Sequence, residues 1–191
     1  MKMGHRVVAG AALLLAEQAG AGVTNLTPNT FISSHMMQFE GITADIAYRR
    51  FIEFNRWWDP AHSYSGKGSA IRFQPRAGEC WCERMPGGGS VEHMRVQLVQ
   101  PGKRLVMSGG LGPLMFQGVA ATMDVTFSQT GGGRTLVSID YRVAGFAYGN
   151  ADKNAGPVDK VLAMQAKRYE DYVRSRSRVT KAKAGASPAA G

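Results

Sequence analysis

Two stretches of the chain alternate between apolar and polar residues with a period of two. Met123, Val125 and Phe127 oppose Thr122, Asp124 and Thr126, and Val137, Ile139, Tyr141 and Val143 oppose Ser138, Asp140 and Arg142. Successive side chains of a strand point to opposite faces, so each stretch predicts a strand with one apolar face in a sheet covered on one side only. Turn signals recur at short intervals: Pro28-Asn29, Gly66-Lys67-Gly68, Pro86 to Gly89, Pro101-Gly102 and Gly131 to Gly133. They punctuate an antiparallel sheet joined by hairpins.

Two other stretches carry the period of a helix. From about Thr43 to Asn55 the apolar stripe is Ala47, Tyr48, Phe51 and Ile52, with Thr43 as N-cap and Asp45 in the first turn. From Pro157, at a favoured first-turn position, to about Val173 the stripe is Val158, Val161, Leu162, Tyr169 and Val173. Gly145 to Gly156 then reads as a connection leading into this last helix, either a plain crossover or a lid. One-sided strands need one cover, and the terminal helix is the only element long enough to provide it. The expectation is an α+β fold, a curved antiparallel sheet wrapped around a long C-terminal helix, with room between them for an apolar ligand.

Composition leaves this picture intact and adds the two ends. A chain of 191 residues that is 44% hydrophobic can bury a real core, and two cysteines are too few for a disulfide scaffold. The net charge of +9 is concentrated at the C-terminus, where residues 174–191 carry +5, while residues 1–21 carry +1 and the body the remaining +3. No basic stripe for nucleic acid follows from that body. Lys2 and Arg6, the apolar run from Val7 to Ala16, and Ala19-Gly20-Ala21 have the order of a secretory signal peptide. The expected organisation is therefore a signal over 1–21, a linker over 22–28, a domain over 29–173 and a disordered basic tail over 174–191. The mature protein would be periplasmic or secreted. The tail would be a solvated segment or a loose contact with an anionic envelope surface.

Several ordered motifs carry a family resemblance. They are the run from Trp57 to Gly66 (WWDPAHSYSG), Arg76 to Glu83 (RAGECWCE), Gly88 to Met94 (GGSVEHM), Gly110 to Leu114 (GLGPL) and Val158 to Leu162 (VDKVL). Over roughly residues 29–173 the chain resembles the SRPBCC (START-like, polyketide cyclase-like) superfamily. Within it, the chain is most similar to the bacterial branch related to the activator of a heat-shock chaperone ATPase. The resemblance implies the helix-grip fold and a deep cavity for a lipid-like or other hydrophobic ligand. The superfamily spans carriers, cyclases, receptors and chaperone activators, so the fold does not choose among them.

The candidate chemistry is sparse. Cys80 and Cys82 share one face of a strand and read first as two small buried apolar side chains; a redox pair or metal capture are the alternatives. A five-residue hairpin loop over Pro86–Ser90 would set Glu83 opposite His93 and Cys82 opposite Met94, avoiding the like-charge pair Glu83–Glu92 of the register one residue shorter. That register sends Cys80, Cys82, Met94, Val96 and Leu98 to the concave face and leaves Glu83–His93 outside as a structural pair. The Trp57–Gly66 run suits either a pocket rim or a small satellite core.

The expected cavity lining draws on three regions. Trp58, His62 and Tyr64 come from that run; Cys82, Met94, Leu114, Phe116 and Tyr141 come from the sheet and its loops. The terminal helix adds Val161, Met164, Gln165 and Tyr169. Gln165, lying on the inward stripe, is the candidate polar anchor. No cofactor, metal site or phosphate-binding loop is expected. The leading expectation is a carrier or binding module for a small hydrophobic molecule. A cyclase-like enzyme would need His62, Tyr64, Tyr141 and Gln165 to converge on one point. A chaperone-ATPase partner is a third reading, and it requires a cytoplasmic protein.

Overall fold

The two alternating stretches pair along their whole length. In the computed structural model, which describes residues 22–185 with side chains as far as 177, they form β7 (Ala120–Thr130) and β8 (Arg134–Ala144). Before them come β1 (Gly22–Thr24), β2 (Thr30–Glu40), β3 (Ile71–Phe73), β4 (Cys80–Arg84), β5 (Ser90–Gln100) and β6 (Arg104–Ser108). The eight strands make one antiparallel sheet in the order β1-β2-β8-β7-β6-β5-β4-β3. Its inner face buries Phe31, Met37 and Phe39 of β2, Met123, Val125 and Phe127 of β7, and Val137, Tyr141 and Val143 of β8. The outer face is polar. There Asp124 and Asp140 stand directly opposite one another, and Arg104 and Arg142 neutralise the pair.

The terminal helix, α3, covers the inner face as the one-sided strands require, but its ends differ from expectation. It spans Ala151–Gly185. Pro157 therefore lies inside it, two turns in, where it removes one backbone donor. Burial explains the early start: Ala151 and Ala155 are almost fully enclosed beside Phe146, and Ala151 N donates to Pro28 O. The connection from Gly145 shrinks accordingly to Asn150. At the other end the helix continues past Val173, so the segment from 174 to 185 is helical rather than a disordered tail. Arg174 pairs with Glu170 and donates to Gln38 O, while Arg50 donates to Val173 O and Ser177 Oγ. Tertiary partners at Arg50 and on β2 thus extend a helix whose own apolar stripe ends earlier. The expected linker over 22–28 is also partly ordered, because residues 22–24 form the edge strand β1. The expected signal peptide, residues 1–21, and the last residues of the expected tail, 186–191, lie outside the described residues.

The first predicted helix divides. Thr43 caps α1 (Ala44–Phe51), its Oγ1 accepting from Ile46 N as anticipated. The chain then bends at Ile52-Glu53 into α2 (Phe54–Trp57). The bend lets Phe51, Phe54 and Trp57 pack mutually at ring separations of 5.0–5.3 Å, and the Trp57 indole N–H closes on Phe51 O. The aromatic contacts replace the helical hydrogen bonds that a continuous helix would have kept.

The β4–β5 hairpin corrects the expected register. Its loop holds five residues, but they are Met85–Gly89, so Arg84 pairs with Ser90, Glu83 with Val91 and Cys82 with Glu92. A bulge at His93 then shifts the pairing to Trp81–Met94 and Cys80–Arg95. The like-charge argument assumed an unbroken ladder. The bulge removes that conflict and turns the strand over: Trp81, Glu83, His93 and Met94 are buried on the inner face, and Cys80 and Cys82 lie half-buried on the outer one. The two cysteines form a disulfide with each other, with Cα atoms 5.4 Å apart. Reading them as two free buried thiols is therefore wrong. Leu98 is also turned outward, following a second irregularity between Val96 and Leu98.

Candidate ligand cavity

A cavity of about 580 Å³ opens between the first half of α3, the Trp57–Gly66 segment and the loop before β7. Each wall has an identifiable support. On α3, helical spacing presents Val158, Val161 and Leu162 to the space. Opposite them Leu111 to Leu114 and Phe116 belong to a loop and a 3₁₀ turn, Gly112–Gln117. Tyr141 fixes that loop: its hydroxyl donates to Gly109 O and accepts from Leu111 N. Gly109 has φ +150°, and a Cβ there would lie 2.5 Å from the His93 carbonyl oxygen, so only glycine lets the loop seat against β5.

The third wall is irregular backbone held by side chains. Asp59 caps a 3₁₀ turn over Pro60–His62, its Oδ1 accepting from Ala61 N. Gln165 Oε1 accepts from Asp59 N at 2.9 Å, Arg168 Nε donates to Trp57 O, and the Trp58 indole N–H donates to His62 O. Glu83 anchors the far end, receiving Tyr64 N on Oε2 at 3.1 Å and Ser65 N on Oε1 at 2.6 Å. Oε2 also lies 2.9 Å from His93 Nε2. Glu83 is fully buried and His93 is 5% exposed.

The electrostatics of this pair follow from its partners. Burial alone would push the Glu83 carboxyl up, but hydrogen bonds from Ser65, His93 and Tyr64 together outweigh it and hold the group below its ordinary value. Burial pushes His93 down, against the opposing pull of Glu83. The state at neutral pH is a carboxylate beside a neutral imidazole. Since a carboxylate only accepts, His93 carries its proton on Nε2 and leaves Nδ1 with a lone pair.

Six of the residues expected at the cavity do line it: Trp58, His62, Tyr64, Leu114, Phe116 and Val161. Leu114 is buried, whereas Phe116, 77% exposed, stands at the mouth. The other six do not line it. Cys82 is on the outer face in its disulfide, and Met94 is core. Tyr141 is the loop brace just described, and Met164 is half-buried away from the lining. Tyr169 donates to Ala47 O and packs on Phe51, its hydroxyl pushed up by burial. Gln165 is used on backbone, with Nε2 unpartnered and buried. The convergent set that a cyclase-like site would need is therefore not assembled, since Tyr141 and Gln165 are both tied to main chain. Reasoning from sequence missed His93, because the wrong register placed it outside. It also missed Leu111, Pro113 and Val158, although these flank residues that it did select.

A second buried polar cluster joins Ser33, His35 and Asp159 of α3: Ser33 Oγ donates to Asp159 Oδ1 at 2.7 Å and lies 3.0 Å from His35 Nε2. Serine donates to the carboxylate and not to the histidine, so the cluster clamps β2 to α3 and does not present a nucleophile.

The architecture is shared with solved structures of low sequence identity. A protein of unknown function from Staphylococcus aureus superposes with a TM-score of 0.53 at 8% identity, over 77% of this chain and 96% of that one. A Mycobacterium smegmatis protein gives 0.52 at 12% identity, over 78% and 95%. A Mesorhizobium loti protein gives 0.50 at 15%, over 74% and 97%. These likenesses establish the helix-grip fold and carry no information about ligand. No family model and no curated protein matches the sequence.

Proposed function

We propose that this domain binds and carries one small apolar molecule in the cavity between α3 and the sheet, as an exported member of the SRPBCC (START-like) group. The observation that carries the reading is the cavity itself: a volume of about 580 Å³, within the range of small-molecule sites, with walls built mainly from Val158, Val161, Leu162, Leu111, Leu114 and Trp58. The motifs from Trp57 to Gly66 and from Gly110 to Leu114, which carry the family resemblance, are the segments that form two of its walls. Export rests on the N-terminal pattern from Lys2 to Ala21, and fractionation of cells producing a C-terminally tagged protein tests it; retention of the intact N-terminus in the cytoplasm would refute it.

Binding is tested with N-phenyl-1-naphthylamine, whose fluorescence rises in apolar surroundings. Saturable one-to-one enhancement is expected. Val161→Trp, which fills the cavity from the helix side, should raise the dissociation constant at least tenfold while circular dichroism and thermal midpoint stay native. Equal affinity in both proteins would place the probe elsewhere and overturn the reading.

A further inference from the structure

The cavity walls contain few polar side chains, and nearly all of them already have partners. The Trp58 indole N–H donates to His62 O, Ser63 Oγ to Pro60 O, and the Tyr64 hydroxyl to Gly112 O. The Asn154 amide accepts from Gln117 and donates to Asn150 O. His62 is exposed at the rim. Among the described residues lining the cavity, His93 is 5% exposed and has Nε2 held by Glu83, which leaves Nδ1 as an acceptor that none of these wall hydrogen bonds uses. From this we infer that His93 is the polar anchor of the cavity, accepting a hydrogen bond at Nδ1 from a hydroxyl on an otherwise apolar ligand, with Glu83 as the positioning residue that fixes the tautomer.

Three features support the assignment beyond the lone pair. Glu83 is held by two backbone N–H groups of the cavity wall, so it cannot follow the ring, and turning the imidazole would break the Nε2 bond to a fixed carboxylate. The imidazole is packed at 5.2 Å from Trp81 and 5.8 Å from Tyr64, which sets its plane. Gly109 presses directly on the His93 backbone, fixing the bulge that brings the side chain inward. A rigid acceptor in an apolar wall discriminates strongly, since a ligand without the donor leaves it unpaired after expelling its water. The ligand class is therefore an apolar skeleton with a hydroxyl donor, a phenol or an alcohol, in preference to a pure hydrocarbon or an ether.

The inference rests on the binding function proposed above, and its test separates the two. The probes are 2-naphthol and 2-methylnaphthalene, nearly equal in shape and differing in the donor, measured by equilibrium dialysis against wild type and His93→Phe. The expected result is a preference for the naphthol, expressed as the ratio of the two dissociation constants, at least tenfold greater in wild type than in the variant. A measurement on wild type alone removes dependence on how the variant folds. With ¹⁵N-histidine labelling, the His93 Nδ1 resonance should have the position of an unprotonated nitrogen and move upfield on adding 2-naphthol but not 2-methylnaphthalene. If both probes bind wild type while Nδ1 stays unmoved, the anchor is wrong and the apolar cavity reading stands. If neither probe binds, both readings fall.

Discussion

Replacing Glu83 by glutamine changes one atom and should lower stability. The two carboxylate oxygens receive three donors: Ser65 N on Oε1, and Tyr64 N and His93 Nε2 on Oε2. In Glu83→Gln the carbonyl oxygen can stand at only one of the two positions, serving either Ser65 N or the pair Tyr64 N and His93 Nε2, while the amide N–H₂ faces the other. In either orientation one backbone N–H, that of Tyr64 or of Ser65, meets the N–H₂ and cannot adapt. One part-buried donor is left unpaired, at about 1–3 kcal/mol, and the remaining bond loses its charge assistance, at about 1 kcal/mol more. The net destabilisation is about 2–4 kcal/mol. For a chain of this length that lowers the thermal midpoint by roughly 4–16 °C, at about 2–4 °C per kcal/mol. Urea unfolding followed by tryptophan fluorescence measures the effect. A variant within about 0.5 kcal/mol of wild type, a shift no larger than an ordinary surface substitution produces, would refute the arrangement.

Acid should weaken the fold in two stages. Burial holds the folded-state values of His35 and His93 below the ordinary 6.5, so the unfolded chain binds protons first and stability falls as pH drops below about 6.5. Glu83, held below its ordinary 4.5, contributes stability above that value that is lost as pH falls through its lower folded value. Unfolding free energies from pH 8 to pH 4 test this, and a flat profile would contradict the burial of both histidines. Gln165→Leu should leave the affinity for an apolar probe unchanged. It loses the bond to Asp59 N but also removes the unpartnered Nε2, so the two effects offset to a net change within about 1–2 kcal/mol. A tenfold loss of N-phenyl-1-naphthylamine affinity in that variant would restore Gln165 to the cavity.

The elements legible in the sequence were those whose signal is local. Period two along residues 122–143 fixes which side chains of β7 and β8 face inward. A 3.6-residue stripe marks α3, and Thr43 announces the cap of α1 without reference to anything distant. The apolar half of the cavity follows from these patterns, because Val161 belongs to the helix stripe and Leu114 to a loop bracketed by glycines. The early start of α3 at Ala151 was not legible, since buried alanines carry no periodic signal of their own.

Only the tertiary structure decided the polar side of the site. A one-residue slip in pairing reverses every side chain of a strand, and the slip here depends on a bulge at His93. That bulge is held by partners remote in sequence: Gly109 against its backbone, and the Tyr64 and Ser65 amides on Glu83. The same residues read in an unbroken ladder put two cysteines in the cavity and a Glu–His pair outside; the folded chain does the reverse. Local pattern determines which faces are apolar. Where two other segments, residues 64–65 and His93, must together satisfy one buried carboxylate, the register is set by that satisfaction, and the pattern of neither strand contains it.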